Sequence, residues 1–252
     1  YTLSLHDALP ISLRILRAYQ EKCGWLYETQ HTDGKGNPII GVDGKPIMGH
    51  INYTVWSDVF ICPSCGHEIV FFHIASGQKD GKVRDVFSCD ECHSQLSKKD
   101  CSHAVESYYD RFLGITIERS KRVPVLINYT VGREKYEREL IEYDYSVISK
   151  SQSITFDTWV PAERLPEGGE TRRNDKIGIT HIHHFYTDRN LYALSVIMDL
   201  VEKSKFADSM RFVFEQIIMG MAKIARYVPT HFSQVNQYLS GTLYIGSQVV
   251  EV

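Results

Sequence analysis

The chain of 252 residues is 43 % hydrophobic and 12 % aromatic, the composition of a folded soluble protein with one large or two modest domains. Its formal net charge of −3 and isoelectric point near 6.4 exclude a globally basic nucleic-acid binder while leaving room for local basic patches. No apolar run approaches the roughly 20 residues that a membrane span requires.

In chain order, Tyr1 to Ile11 has neither a basic n-region nor a continuous apolar stretch, so it is not a targeting segment. Thr2 to Ile11 looks like one reading frame of a common sequencing adapter, which predicts that residues 1–11 carry no function and that the natural protein joins at about Ser12. Ser12 to Cys23 places Leu13, Leu16, Ala18 and Tyr19 between charges and ends at Gly24, the pattern of a short amphipathic helix. Trp25-Leu26-Tyr27 reads as a strand. His31 to Gly49, with five glycines and two prolines, reads as a turn-rich hairpin or loop. Asn52 to Phe60 then reads as a strand leading into Cys62.

Glu68 to His73 is β-rich, Ser76 to Lys82 a turn, and Ser97 to Asp100 a short helix or turn. Gly114 to Tyr129 alternates like two strands joined at a basic cluster, Arg119, Lys121 and Arg122. Glu134 to Ser149 reads as a charged helix and Pro161 to Asp175 as a loop. Ile177 to Tyr186 is strand-like, and Thr187 is a fitting N-cap for a helix from about Asp188 to Lys203, with Leu191, Leu194, Ile197, Met198 and Val201 on one face. A second helix from about Asp208 would bury Phe214, Ile217, Ile218, Met221 and Ile224 before Pro229 stops it. Gly241 to Val252 closes as a strand.

The strongest chemical signal is Cys62-Pro63-Ser64-Cys65-Gly66 with Cys89-Asp90-Glu91-Cys92. Two residues between cysteines let both sulfurs turn to one side of a tight turn, and Gly66 suits the positive backbone dihedral such a turn often demands. Cys62, Cys65, Cys89 and Cys92 are therefore expected to hold a structural Zn2+ with no open coordination position. Disulfides, unconnected core cysteines and thioredoxin-like redox pairs fit less well, since nothing looks secreted and neither knuckle opens a helix in a βαβ unit. With Cys23 and Cys101 left over, the cysteine usage is that of a reduced, cytoplasmic protein. The sequons at Asn52 and Asn128 read as chance.

His181-x-His183-His184 invites a second metal site, but no carboxylate or cysteine lies nearby in sequence, so histidines hydrogen-bonded in a half-buried strand are preferred. Arg172-Arg173-Asn174 suits a surface loop or a phosphate contact. There is no P-loop, no Gly-x-Gly-x-x-Gly and no pair of adjacent prolines. No nucleophile and base pair stands out.

The blocks Cys23 to Thr29, Asn52 to Val59, Val123 to Tyr129 and above all Arg172-Arg173-Asn174 through His181-x-His183-His184-Phe185-Tyr186-Thr187-x-Arg189-Asn190-Leu191 resemble bacterial and phage DNA methyltransferases with a zinc ribbon inside an amino-methylating domain. The resemblance implies an α+β chain, a β-rich zinc-ribbon insert followed by part of an incomplete Rossmann-like methyltransferase domain. It implies S-adenosylmethionine as methyl donor in the full-length protein and double-stranded DNA as partner. The family's glycine-rich donor motif, ahead of the ribbon, and its Asp-Pro-Pro-aromatic motif, beyond the matched region, are both absent, so the chain reads as an internal piece with no catalytic residue of its own. The expected division is residues 12–49 as helix and connector, 50–170 as the DNA-recognising insert, and 171–252 as catalytic scaffold. Arg119, Lys121, Arg122, Arg172 and Arg173 are the candidate phosphate contacts. The rivals are a stand-alone zinc-ribbon module that binds RNA or protein, and a metal-dependent nuclease built on the histidines.

Overall fold

A computed structural model describes residues 5–75, 84–228, 235–236 and 243–252. It is a mixed helix and sheet protein, α+β, in which every described strand pair is antiparallel. The organising element is β2 (Met48–Ile61), one strand with two jobs. Its first part pairs with β9 (Arg122–Val131) on one side, and with β1 (Glu28–Gln30) and then β13 (Gln248–Glu251) on the other. Its last residues, Val59 to Ile61, pair instead with β3 (Glu68–Val70) and β6 (Ser102–His103). The strand that leads into Cys62 is thus continuous with the main sheet, which β10 (Glu134–Arg138) extends on one side and β11 (Ala225–Arg226) and β12 (Val235–Asn236) on the other.

Because β13 pairs with β2, the spans 50–170 and 171–252 share one sheet, and the boundary at residue 50 falls inside a strand. Two small hairpins stand off this sheet, β4 (Val86–Ser88) with β5 (Gln95–Ser97), and β7 (Val105–Asp110) with β8 (Ile115–Ser120). Six α-helices accompany the strands among the described residues: α1 (Leu5–Cys23), α2 (Phe71–Ala75), α3 (Glu142–Gln152), α4 (Gly169–Arg173), α5 (Asp188–Glu202) and α6 (Ala207–Ile218).

Several expectations hold. The first helix ends at Cys23, beginning earlier than Ser12. The side chains of residues 1–9 lie outside the described residues. His31 to Gly49 is a pair of tight turns in which Asp33 accepts from the N–H groups of Lys35 and Asn37, and Asp43 from that of Lys45. The alternation of 114–129 is two strands, and Thr187 caps α5 by accepting from Asn190 N–H. Asn52 donates to Asn128 across β2 and β9 at 2.8 Å, so both sequon asparagines face each other in the sheet.

Others are corrected. Trp25-Leu26-Tyr27 lies in a 3-10 turn, Gly24–Tyr27, and only Glu28–Gln30 is strand. Glu134–Arg138 is a strand, not a helix: Tyr136 and Arg138 are half-buried while Lys135 and Glu137 are exposed, a period of two. The helix starts only at Glu142. Glu68 to His73 splits after Val70, where Phe72 N–H turns to the Ser57 hydroxyl at 3.0 Å. The turn expected over Ser97 to Asp100 is present at 98–100, directly after a strand at Gln95–Ser97, and Gly169–Arg173 is a helical turn inside the expected loop.

Ile177 to Tyr186 is not a strand but a 3-10 turn with irregular flanks, because Gly178 at φ +79 breaks the extension. A Cβ at Gly178 would sit 2.6 Å from Arg119 Cβ, so glycine lets this loop close on β8. The second late helix ends at Ile218 and buries Met210. Phe212, Val213 and Ile217 are exposed, whereas Ile224 is buried in the core beyond the helix. The expected turn at 76–82 falls wholly outside the described residues, as does the stop at Pro229.

Candidate metal centre and the buried clusters around it

The two knuckles fold alike. Gly66 N–H donates to Cys62 O at 2.9 Å and His93 N–H to Cys89 O at 3.0 Å, while Cys62 N–H reaches His67 O and Cys89 N–H reaches Ser94 O. Gly66 sits at φ +76, and its counterpart His93 adopts φ +59. Each turn aims two sulfurs the same way, and the clustered Phe60, Ile69, Phe71, Phe87 and Leu96 press the knuckles together.

Cys62, Cys65, Cys89 and Cys92 have their sulfurs within 4.8 Å of one another. Cys62 and Cys92 are 3.7 Å apart, Cys65 and Cys89 3.8 Å. A Zn–S bond of about 2.3 Å puts tetrahedral sulfurs about 3.8 Å apart, so the spacing fits zinc and is far too long for disulfides of about 2.05 Å. The Ser94 hydroxyl, 3.3 Å from Cys92 Sγ, and the Ser94 N–H draw the Cys92 thiol down to about 6, whereas Cys65, despite a backbone hydrogen bond from His67, is pushed up to about 12 by burial and its sulfur neighbours, so the first negative charge of the cluster falls on Cys92. With four protein ligands the ion would be structural.

A second cluster joins residues far apart in sequence. Asp110, at the end of β7, has an oxygen 2.8 Å from His183 Nε2 and 2.7 Å from His184 Nε2, all three residues buried. Its other oxygen accepts from the N–H groups of Phe112 and Leu113. Burial disfavours the Asp110 charge, but the hydrogen bonds from His184 and His183 outweigh it and hold the carboxyl at about 2. The fold thus supplies from β7 the carboxylate that the histidines lack nearby in sequence.

The three side chains have the composition of a metal site, yet their hydrogen bonds fit a proton-holding cluster better. Thr180 N–H donates to His184 Nδ1 at 3.1 Å, so Nδ1 offers a lone pair and Nε2 carries the proton given to Asp110. A metal on His184 Nε2 would need that proton removed, whereas a ligating histidine normally donates from its other nitrogen. Burial lowers His184 to about 4, keeping the ring neutral. The histidines are therefore hydrogen-bonded, as expected, although in a turn rather than a strand.

No family model, curated protein or solved structure matches the chain. The resemblance to zinc-ribbon methyltransferases accordingly rests on its sequence blocks, and the structure shows what the principal block does. Arg189, buried at the start of α5, donates through Nε and Nη2 to Glu251 of β13 at 3.0 and 2.5 Å. It also reaches Leu26 O and the Thr54 hydroxyl. Glu251 accepts in addition from Trp56 Nε1 and the Thr187 hydroxyl. Asn190 accepts from the Tyr27 hydroxyl and donates to Met221 O. The block is a clamp that ties α5 to β2, β13 and the 24–27 turn.

The candidate phosphate contacts all have acidic neighbours. Arg119 meets Glu106 at 2.7 Å, Lys121 meets Glu68 at 2.6 Å and Arg122 meets buried Asp58 at 2.7 Å. Arg172 holds Asp175 and the Leu165 carbonyl, and Arg173 pairs with Glu170 while remaining 66 % exposed. Arg119 and Arg122 turn into one cavity, which Lys121 does not line. Among the described residues no helix is long and apolar enough to cross a membrane.

Proposed function

We propose that the chain is the zinc-stapled recognition segment of a DNA amino methyltransferase, in which the scaffold that binds S-adenosylmethionine and carries the reaction is Rossmann-like. The observation that carries the reading is the convergence of four cysteine sulfurs within 4.8 Å of one another, the first of them following directly on β2, a strand continuous with the sheet that the resembling blocks build. A methyltransferase that acts on an exocyclic amine must swing the base out of the duplex, so a rigid reader beside the catalytic scaffold is required. The antiparallel sheet suits such a reader; a donor site belongs to a parallel scaffold.

The test is binding of the zinc-loaded chain to duplex DNA across a salt series, with zinc content measured on the same sample. The expected result is one zinc per chain and an affinity that falls linearly on a log–log salt plot. Absence of duplex binding at low salt refutes the DNA reading. The acidic partners of the candidate cations favour one alternative, a zinc-ribbon module for a protein or RNA partner. In that case zinc is retained and duplex binding is not seen. A nuclease reading predicts divalent-metal-dependent DNA cleavage, which the tautomer of His184 disfavours.

A further inference from the structure

A cavity of about 140 Å3 lies between β8, the turn around His183 and His184, and Lys223, with room for several water molecules. Four cations line it, Arg119, Arg122, Arg189 and Lys223, of which Arg189 is held by Glu251. Lys223 is fixed there by its own backbone, whose N–H donates to Phe185 O at 2.7 Å. Its ammonium donates to His184 O at 3.0 Å, which occupies one of three N–H groups. Among the described residues it has no carboxylate within ion-pair distance.

The acids on the same wall are already committed. Glu106 is bound to Arg119, Glu251 to Arg189, and Asp188 faces Arg111 at 3.6 Å and the Tyr108 hydroxyl at 3.2 Å. Arg122 Nη2 donates to Gly246 O and lies 2.7 Å from Asp58 Oδ1 as an ion pair, yet its buried Nη1 has no hydrogen-bond partner. His183 Nδ1, on the same lining residue set, is likewise buried without a partner. Converging cations with donors to spare make a site that lacks its counter-ion.

We infer that this cavity binds a phosphate-type oxyanion, held by Lys223 and Arg122 with Arg119 beside them. A tetrahedral oxyanion accepts the spare Lys223 and Arg122 protons in charge-assisted hydrogen bonds. His183 Nδ1 accepts the P–OH of a monoester or of hydrogen phosphate, a group that a phosphodiester lacks. Burial, with repulsion from Arg119 and Arg122, lowers the ammonium of Lys223 to about 7, the behaviour of a lysine without its anion. The inference does not depend on the methyltransferase reading, because phosphate binding and duplex binding are separate measurements.

The experiment compares the zinc-loaded full chain with Lys223→Met and Lys223→Arg by calorimetric titration with inorganic phosphate and by thermal melting at matched ionic strength. The expected result is one saturable site, a melting point raised by phosphate but not by chloride, and at least about tenfold weaker binding in K223M. K223R keeps the response, since the charge remains. K223M itself melts no lower than the parent in phosphate-free buffer, because it removes an uncompensated cation; a lysine with a merely structural role would lower it. A dinucleotide phosphodiester is the second probe. If it competes with phosphate, the pocket takes a nucleic-acid backbone; if it does not, it takes a phosphomonoester or free phosphate. No phosphate response in the parent, or an unchanged response in K223M, overturns the inference.

Discussion

Replacing Glu251 by Gln tests the clamp on which the sheet and helices converge. The side chains of Arg189 and Glu251 are 3 % and 2 % exposed, so neither charge is relieved by water when its partner goes. The carboxylate accepts from Arg189 Nε, Arg189 Nη2, Trp56 Nε1 and the Thr187 hydroxyl. Glutamine offers one acceptor oxygen and puts an NH2 where the other was, leaving a buried guanidinium uncompensated. Breaking such a pair costs about 3–5 kcal/mol, a large share of a domain's roughly 5–15 kcal/mol. Urea titration should therefore show a much lower midpoint for E251Q with an unchanged slope. The double variant R189M/E251L should recover most of the loss, since desolvation of both charges disappears with them.

The same pair fixes a pH dependence. Burial opposes ionisation of Glu251, but the Arg189 charge and the hydrogen bonds from Arg189, Thr187 and Trp56 win and hold its carboxyl below the ordinary value of 4.5. A depressed carboxyl contributes its stability above the unfolded pKa and loses it as pH falls through the folded one. The gap between parent and E251Q should be full at neutral pH and narrow in acid. A gap under about 1 kcal/mol at pH 7 would refute the reasoning, as would a double variant as unstable as the sum of the single ones.

Chelating zinc, or the substitution Cys92→Ser, should release the ribbon around Phe60, Phe71 and Phe87 while the main sheet persists. Limited proteolysis with metal analysis checks this, and a zinc-free chain with a protected ribbon would contradict it. Gly178→Ala should cost at least about 2 kcal/mol, from left-handed strain plus overpacking against Arg119. Gly44→Ala, at φ +76 with nothing near its Cβ, should cost only the conformational part, about 1 kcal/mol. His184, held neutral with its pKa lowered from 6.5 to about 4, should make the fold lose stability as pH falls through that window. The unfolded chain takes the proton first, and the loss is about 3 kcal/mol from this group. Melting curves from pH 7 to 4 should show it, and a flat profile would argue against the buried neutral ring.

The sequence by itself determined what depends on neighbours along the chain. The spacing of Cys62-Cys65 and Cys89-Cys92 marked the four candidate metal ligands, because a knuckle closes within one turn. Period-two alternation gave β8 and β9, and the Thr187 cap with its apolar stripe gave α5. It misread 134–138 because so short a charged run fits a helix and an edge strand equally, and pairing with β9 decides. Tertiary structure alone decided the pairing of Asp110 with His183 across 73 positions, and of Arg189 with Glu251 across 62. It also placed Lys223 beside Arg119 and Arg122. A buried charge or imidazole needs a partner wherever the fold brings one, and that requirement leaves no periodicity in the sequence to read.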